Sequence, residues 1–128
     1  MDELNNQRKS FEICDECRPF IDNFDILNEA YGYSAFHDSV VSHLEYKLSD
    51  DGMSSDIYLA LSIDGEIETV LRFIKVYGIE INLPDIRSSF FYRIDFYVDQ
   101  WRDYGNCIVM ETDGDLVKIL AEKIFVLQ

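Results

Sequence analysis

The chain has 128 residues, of which 48% are hydrophobic and 14% aromatic, a composition that supplies one hydrophobic core and excludes a disordered chain. Twenty-five acidic residues against eleven basic ones give a formal net charge of −14, and a field of that sign repels nucleic-acid phosphates and anionic membrane surfaces. The same field attracts basic proteins, although acidity also simply keeps a small domain soluble.

The N-terminus and the hydropathy pattern bear on location in the cell. No apolar run approaches the roughly 20 residues that cross a bilayer. The first residues, with Asp2 and Glu3, lack the basic start and apolar middle of a signal peptide. We therefore expect a cytoplasmic protein.

The first part of the chain predicts a lead-in followed by a domain. Residues 1–20 are polar and mixed in charge and predict a lead-in that is at most partly ordered, whereas residues 21–128 predict one strand-rich domain. Asp22 is a candidate N-cap for a helix over residues 22–30, with Gly32 as its stop. The apolar face of this helix carries Phe24, Leu27 and Tyr31.

Three cysteines form an odd set, which argues against a disulfide framework. Cys14 and Cys17 have the C-x-x-C spacing of redox and zinc sites. No strand pattern precedes them, as a redox pair would need, and the gap to His37 and His43 is longer than in a zinc finger. Reduced thiols without a shared role are the favoured interpretation, and the redox and zinc alternatives stay open.

After residue 39 the hydrophobic period changes to two, which predicts strands. The first strand places its apolar residues on one face, namely Val40, Leu44, Tyr46 and Leu48. Asp64 and Gly65 predict a hairpin turn into a central strand over residues 68–77, which Gly78 is expected to end.

The second half of the chain continues the strand pattern. Alternation over residues 90–99 predicts a strand, and Asp113-Gly114 predicts a two-residue turn between strands over residues 107–112 and 116–127. Short connections favour antiparallel neighbours. The predicted fold is α+β and mainly β, an antiparallel meander of about six or seven strands with a short N-terminal helix.

The stretch Phe36-His37-Asp38-Ser39 contains the residue types of a hydrolytic triad, but consecutive side chains normally diverge. We therefore interpret the motif as structural: Asp38 or Ser39 closes a turn by bonding backbone amides, and Phe36 anchors that turn in the core. The alternative is a binding module that places His37 and Asp38 at the mouth of a cavity for a small molecule or a metal ion.

Other patterns of catalysis and cofactor binding do not occur. The carboxylates Asp50, Asp51 and Asp56 do not match the ligand spacing of a calcium loop, and no glycine stands in a phosphate-binding pattern. We predict no catalytic residue, metal ligand or cofactor, and we do not expect an enzyme.

A candidate binding surface runs from Arg93 to Tyr104, where aromatic rings alternate with carboxylates. Rings supply rigid contact area and carboxylates steer a basic partner, as at protein interfaces. The residues predicted to bind a protein are Asp95, Tyr97, Asp99, Trp101, Asp103 and Tyr104. In the alternative, Tyr97 and Trp101 cover a second face of the sheet.

The Phe36–Ser39 motif and the strands after it resemble the immunity protein 50 family of small bacterial proteins. The resemblance spans roughly residues 34–128 and leaves Cys14 and Cys17 without a counterpart. It is carried by the motif and by four later segments, Ile57–Leu61, Val70–Phe73, Tyr92–Phe96 and Glu111–Gly114.

The resemblance implies a bacterial immunity protein of a polymorphic toxin system, which binds and neutralises a cognate toxin without catalysis. Combined with the net charge, it leads us to expect a basic partner, such as a nuclease, and neither nucleic acid nor a membrane. Pairing of a strand edge with a second copy, which would make a homodimer, is a further alternative.

Overall fold

The computed structural model describes residues 13, 15–34, 36–83 and 90–128. Over these ranges the backbone forms a seven-stranded sheet, one α-helix and short 3₁₀ helices. In chain order the elements are a 3₁₀ helix Asp15–Phe20, β1 Ile21–Asp22, α1 Phe24–Ser34, β2 Val40–Leu48, β3 Ser55–Ile63, β4 Glu66–Ile81, β5 Ile94–Gln100, a 3₁₀ helix Arg102–Tyr104, β6 Asn106–Thr112, a 3₁₀ turn Asp113–Asp115 and β7 Val117–Val126.

The sheet has the order β2-β3-β4-β7-β6-β5, and the short β1 pairs in parallel with β7. All other strand pairs are antiparallel. The predicted fold class is therefore confirmed: the chain is mainly β, with one short helix near its N-terminus. The meander is divided into two halves of three strands each, which β4 and β7 join at the centre of the sheet.

One face of the sheet carries the core. In β3 the buried residues recur with period two, as Ile57, Leu59 and Leu61 show, and their partners in β4 include Leu71 and Phe73. Residues that pair across a sheet share its face, so burial on one strand extends to the next. Burial of each large apolar side chain stabilises the fold by about 1.5–3 kcal/mol.

Helix α1 covers this face with the residues that its periodicity predicts, because Phe24, Leu27 and Tyr31 are all buried. Its predicted ends are wrong. Asp22 is not the N-cap; it lies in β1, where its carboxylate is 3.0 Å from the Lys123 ammonium. Gly32 does not stop the helix, which continues to Ser34.

Strand β2 begins with a bulge that changes which side chains face the core. The register shifts between Val41 and His43, so that Val41, and not Val40 as predicted, packs against the core together with Leu44. Farther along, Tyr46 and Leu48 are 59% and 54% exposed. An extra residue shifts the alternation of the strand, which period two alone does not anticipate.

Strand β4 runs through Gly78, which was expected to end it. The register with β7 shifts between Val76 and Gly78, so the glycine marks an irregularity inside a long strand rather than its end. A second irregularity precedes it at Lys75, whose φ is +57°. The Lys75 amide donates a hydrogen bond of 3.2 Å to Asp56, which holds this bend against β3.

Strand β5 begins at Ile94, four residues later than predicted. The preceding segment is not part of the strand, because it pairs elsewhere. The Phe91 amide donates a hydrogen bond of 3.1 Å to the Ser39 carbonyl, which forms an isolated antiparallel bridge. Phe91 is buried there, whereas Tyr92 is 63% exposed. Since Ser39 directly precedes β2, this bridge brings the beginnings of the two edge strands together.

The link between β6 and β7 holds the same segment from the other side. It spans residues 113–116 and is not the predicted two-residue turn. Asp113 accepts hydrogen bonds from the amides of Tyr92 and Arg93 at 2.9 and 3.1 Å, and its own amide donates to the Arg93 carbonyl at 3.2 Å. The Asp-Gly pair therefore anchors a distant segment as well as reversing the chain.

Near the N-terminus, Ile13 and Cys17 belong to the core. Cys14, most of the predicted lead-in and the predicted loop at Pro84 and Asp85 lie outside the described residues. Among the helices that the structure describes, none is long and apolar enough to span a membrane.

We predict that Asp113→Ala lowers the free energy of unfolding by about 1–3 kcal/mol, because two backbone amides lose a charged acceptor. Urea denaturation followed by circular dichroism measures the change. Asp50→Ala is the matched control, since that carboxylate is exposed in a comparable turn. Equal stabilities of the two variants would show that the anchor contributes nothing.

Candidate binding surface

The Phe36–Ser39 motif forms a tight turn at the junction of α1 and β2. Phe36 and Asp38 have positive φ angles of +59° and +62°, and the Ser39 amide closes the turn on the Phe36 carbonyl at 3.1 Å. The Phe36 ring is fully buried, 6.3 Å from the centroid of Tyr31. The anchoring role predicted for Phe36 matches this geometry.

Ser39 is the buried polar centre of this turn. Its hydroxyl donates to a carboxylate oxygen of Glu68 on β4, and its carbonyl accepts from Phe91. Of the two residues expected to close the turn, it is thus Ser39 that does so, through its backbone. Its side chain serves a different purpose, which is to connect the turn to the centre of the sheet.

His37 and Asp38 lie on the outside of the turn. The His37 Nδ1 is 3.0 Å from the Asp38 carboxylate, both side chains are more than half exposed, and the imidazole lies 5.3 Å from the Tyr92 ring. Within the described ranges, no group of three or more His, Cys, Asp or Glu side chains is arranged to hold a metal ion. The two side chains thus contact each other at an exposed position.

The predicted binding residues divide into two sets, and the first set lies on β5. Asp95 accepts a hydrogen bond of 2.6 Å from Arg93 and one of 3.5 Å from the Tyr31 hydroxyl. The Tyr97 hydroxyl donates to Glu111 at 2.6 Å. Both side chains are therefore bonded to other side chains, whereas the Asp99 carboxylate is exposed and accepts a hydrogen bond of 2.8 Å from the adjacent Gln100 amide.

The second set lies in the loop between β5 and β6, where the chain turns away from β5. The Trp101 ring is half-buried, and a side chain at Gly78 would come within 3.8 Å of it. Tyr104 is 66% exposed and stacks on Tyr77, with ring centroids 5.2 Å apart and an interplanar angle of 21°. Trp101 thus covers part of the sheet, as the alternative interpretation predicted, while Tyr104 remains open to a partner.

This loop borders a groove of about 440 Å³, whose other wall is the link between β2 and β3. We call it the aromatic groove. Its apolar and aromatic lining comes from Leu48, Met53, Val76, Tyr77, Trp101 and Tyr104. Met53 is 82% exposed and Leu48 is 54% exposed. The groove therefore presents apolar side chains to solvent, a feature typical of binding sites.

The sequence did not identify Tyr77, Leu48 or Met53 as part of this surface. Tyr77 was assigned to a central strand, and Leu48 and Met53 precede it by 29 and 24 residues. They meet because β2, β3 and β4 are neighbours and the bend at Lys75 and Gly78 turns Tyr77 toward Tyr104. In the sequence, this surface is indicated only by Met53, an apolar residue in an otherwise polar turn.

Basic and acidic side chains both surround the aromatic groove. Lys75 lies 3.8 Å from Glu122, and the Arg102 guanidinium stacks over the Trp101 ring at 4.9 Å. Asp99 and Asp103 flank the loop with exposed carboxylates. The cations are thus paired or stacked, and the acids remain available to act on a partner.

The hydroxyl of Tyr97 is held in its neutral form. Burial, followed by the hydrogen bond to Glu111, raises its pKa far above the usual value. Burial and neighbouring carboxylates also raise the pKa values of Tyr31 and Tyr77. These three rings ionise less readily in the folded chain than in the unfolded one.

We predict that Ser39→Ala lowers the free energy of unfolding by about 1.5–3 kcal/mol, because the bond that it removes joins a buried hydroxyl to a half-buried carboxylate. Chemical denaturation of purified variants measures the loss. Ser42→Ala, which removes a bond of 3.1 Å to the Ala60 carbonyl at an exposed residue, is the control and should cost less. An equal loss of unfolding free energy in Ser42→Ala would show that the hydrogen bond to Glu68 stabilises the fold no more than one at an exposed residue.

We also predict that the fold loses stability as the pH rises above about 10, where tyrosines of the unfolded chain ionise. Because folding raises the pKa of Tyr97, its neutral hydroxyl stabilises the fold fully below that pH. This stabilisation is lost as the pH rises from there toward the pKa of Tyr97 in the folded chain. Tyr97→Phe should therefore be less stable than the parent at about pH 8 by about 1 kcal/mol, with the gap narrowing at about pH 11. Urea denaturation at both pH values, with Tyr46→Phe as an exposed control, measures it. A gap that widened with pH would contradict this sign.

Comparison of the chain with family models, with curated proteins and with solved structures finds no match. The resemblance to the immunity protein 50 family therefore stays a prediction from the sequence.

Proposed function

We propose that this chain is an immunity-type protein that binds and neutralises a cognate bacterial toxin with a basic surface, such as a nuclease. The observation that supports it best is the aromatic groove, an exposed apolar surface flanked by the exposed carboxylates of Asp99 and Asp103 in a chain of net charge −14. Exposed apolar surface with a polar rim is typical of protein-binding sites.

The aromatic groove supplies the contacts that hold a partner. Tyr104 stacks on Tyr77, so its ring is ordered before binding and loses little conformational freedom on contact. Trp101 is fixed against the sheet near Gly78. Aromatic rings at the centre of an interface carry most of its binding energy, and these two are the expected anchors.

The carboxylates supply the attraction at a distance. A nuclease toxin holds an anionic substrate on a basic surface, and an acidic protein that covers this surface competes with that substrate. Asp99 and Asp103 are exposed, whereas Asp95 is bonded to Arg93 and Tyr31. We therefore assign direct steering to Asp99 and Asp103, and to Asp95 a supporting role in holding β5 against α1.

The test begins with a search of the neighbouring genes for a toxin domain with a basic surface, which the proposal expects to be encoded there. Cells that produce this toxin domain should survive when the chain is co-expressed, and the purified proteins should form a complex. Tyr104→Ala should weaken the complex by about 2 kcal/mol, since truncation of an aromatic anchor has that order of effect. Failure of the chain to rescue the cells and to bind the toxin would refute the proposal.

We predict that the double reversal Asp99→Lys with Asp103→Lys lowers the association rate with that toxin about tenfold at low salt and flattens its salt dependence. Stopped-flow fluorescence measures both. The matched control is Glu29→Lys with Glu66→Lys, which changes the net charge equally at exposed positions on α1 and at the start of β4. Equal slowing by both pairs would assign the effect to net charge and not to this surface.

A further inference from the structure

Strand β2 is an edge of the sheet, and among the described strands only β3 pairs with it. Its second half, Leu44–Leu48, therefore has one side whose backbone groups no described strand pairs with. Natural proteins protect such edges with charged side chains, prolines, bulges or covering segments, and the two charges on this edge, Glu45 and Lys47, are of opposite sign. The bulge of β2 lies at its beginning, between Val41 and His43, and leaves this second half regular.

The same half of β2 carries uncovered apolar side chains. Leu44 and Tyr46 pair with Leu59 and Ile57, both fully buried, so they lie on the core face of the sheet. Leu44 packs against the core, but Tyr46 is 59% exposed. The core face thus extends to the edge and ends there in apolar groups that the described part of the chain does not cover.

The order of side chains along this edge is self-complementary. Leu44-Glu45-Tyr46-Lys47-Leu48 has the same apolar and aromatic pattern in both directions, with opposite charges on either side of Tyr46. If two copies pair antiparallel about Tyr46, each Glu45 lies opposite the Lys47 of the other copy, and each Leu44 lies opposite a Leu48. Opposite charges directly across a strand pair stabilise it, and like charges destabilise it.

Other registers are less favourable. An axis at Glu45 sets two carboxylates opposite each other, and an axis at Lys47 sets two ammonium groups opposite each other. The charges therefore select the axis at Tyr46, which is the register that also joins the two tyrosine rings. A contact of this kind is isologous and closes with two copies, so it does not lead to open-ended assembly.

We propose that two copies of this chain associate in solution by antiparallel pairing of their β2 edges, centred on Tyr46. The interface is short and the net charge of −14 on each copy opposes association, so the dimer is weak and exchanges with the monomer. It does not depend on the proposed toxin binding, although Leu48 borders both surfaces.

The test is a charge-swap experiment by sedimentation equilibrium from about 10 µM to about 1 mM protein at physiological salt, since short interfaces give dissociation constants in this range. The parent chain should rise from its monomer mass of 15.0 kDa toward twice that value. Glu45→Lys alone, or Lys47→Glu alone, should weaken the dimer about tenfold, because each sets like charges opposite each other at both ends of the contact.

The double variant Glu45→Lys with Lys47→Glu restores opposite charges and should restore the dimer. Glu66→Lys, an equal charge change at an exposed residue outside β2, is the control and should dimerise at least as well as the parent. Thermal denaturation of every variant shows whether it is folded. Slower amide exchange in Leu44–Leu48 at high concentration should locate the contact on this strand.

Three results would overturn the proposal. The first is a parent chain that remains monomeric over the whole concentration range. The second is a dimer that both single variants leave unchanged, which would place the interface elsewhere. The third is a double variant that stays as weak as the single ones, since complementary charges would then play no part in the pairing.

Discussion

The structure depends on the buried hydrogen bonds of Ser39. Three elements meet there: its hydroxyl donates to Glu68 on β4, its carbonyl accepts from Phe91 ahead of β5, and its amide closes the turn on Phe36. Buried polar groups are costly when unpaired, so these bonds favour the arrangement of the chain in which all three are made. That arrangement brings the beginnings of both edge strands to one place. The opposite ends of the sheet are left open, and the candidate surfaces lie there.

Asp113 completes this constraint from the far side of the sheet. Its carboxylate binds the amides of Tyr92 and Arg93, so the segment before β5 is held between Ser39 and the link from β6 to β7. Strand β5 can therefore begin only at Ile94, which directs Tyr97 and Asp99 to the outer face and ends the strand beside the aromatic groove. The geometry of the groove is thus determined by hydrogen bonds at the other end of β5.

The two surfaces serve different physical purposes. The aromatic groove joins rigid rings to exposed carboxylates, a combination suited to a foreign partner of opposite charge. The edge of β2 instead carries one acid and one base on either side of Tyr46, a pattern that complements itself. In a chain with so large an excess of acids, the one acid and one base of this stretch cancel, so it adds no net charge to the repulsion between two copies. Leu48 borders both surfaces.

The sequence by itself determined the local features: the strands from their period of two, the buried face of α1, the turn at Asp64, and the anchoring of Phe36. It also identified Trp101 and Tyr104 as neighbours of exposed acids. Tertiary structure alone decided that β4 continues through Gly78, that residues 90–93 leave their strand, and that Tyr77 joins Tyr104. The reason is physical: periodicity records which side of an element is apolar, whereas these features depend on partners that are distant in the sequence. Ser39 and Phe91, or Asp113 and Tyr92, can be matched only once the strands between them have found their order in the sheet.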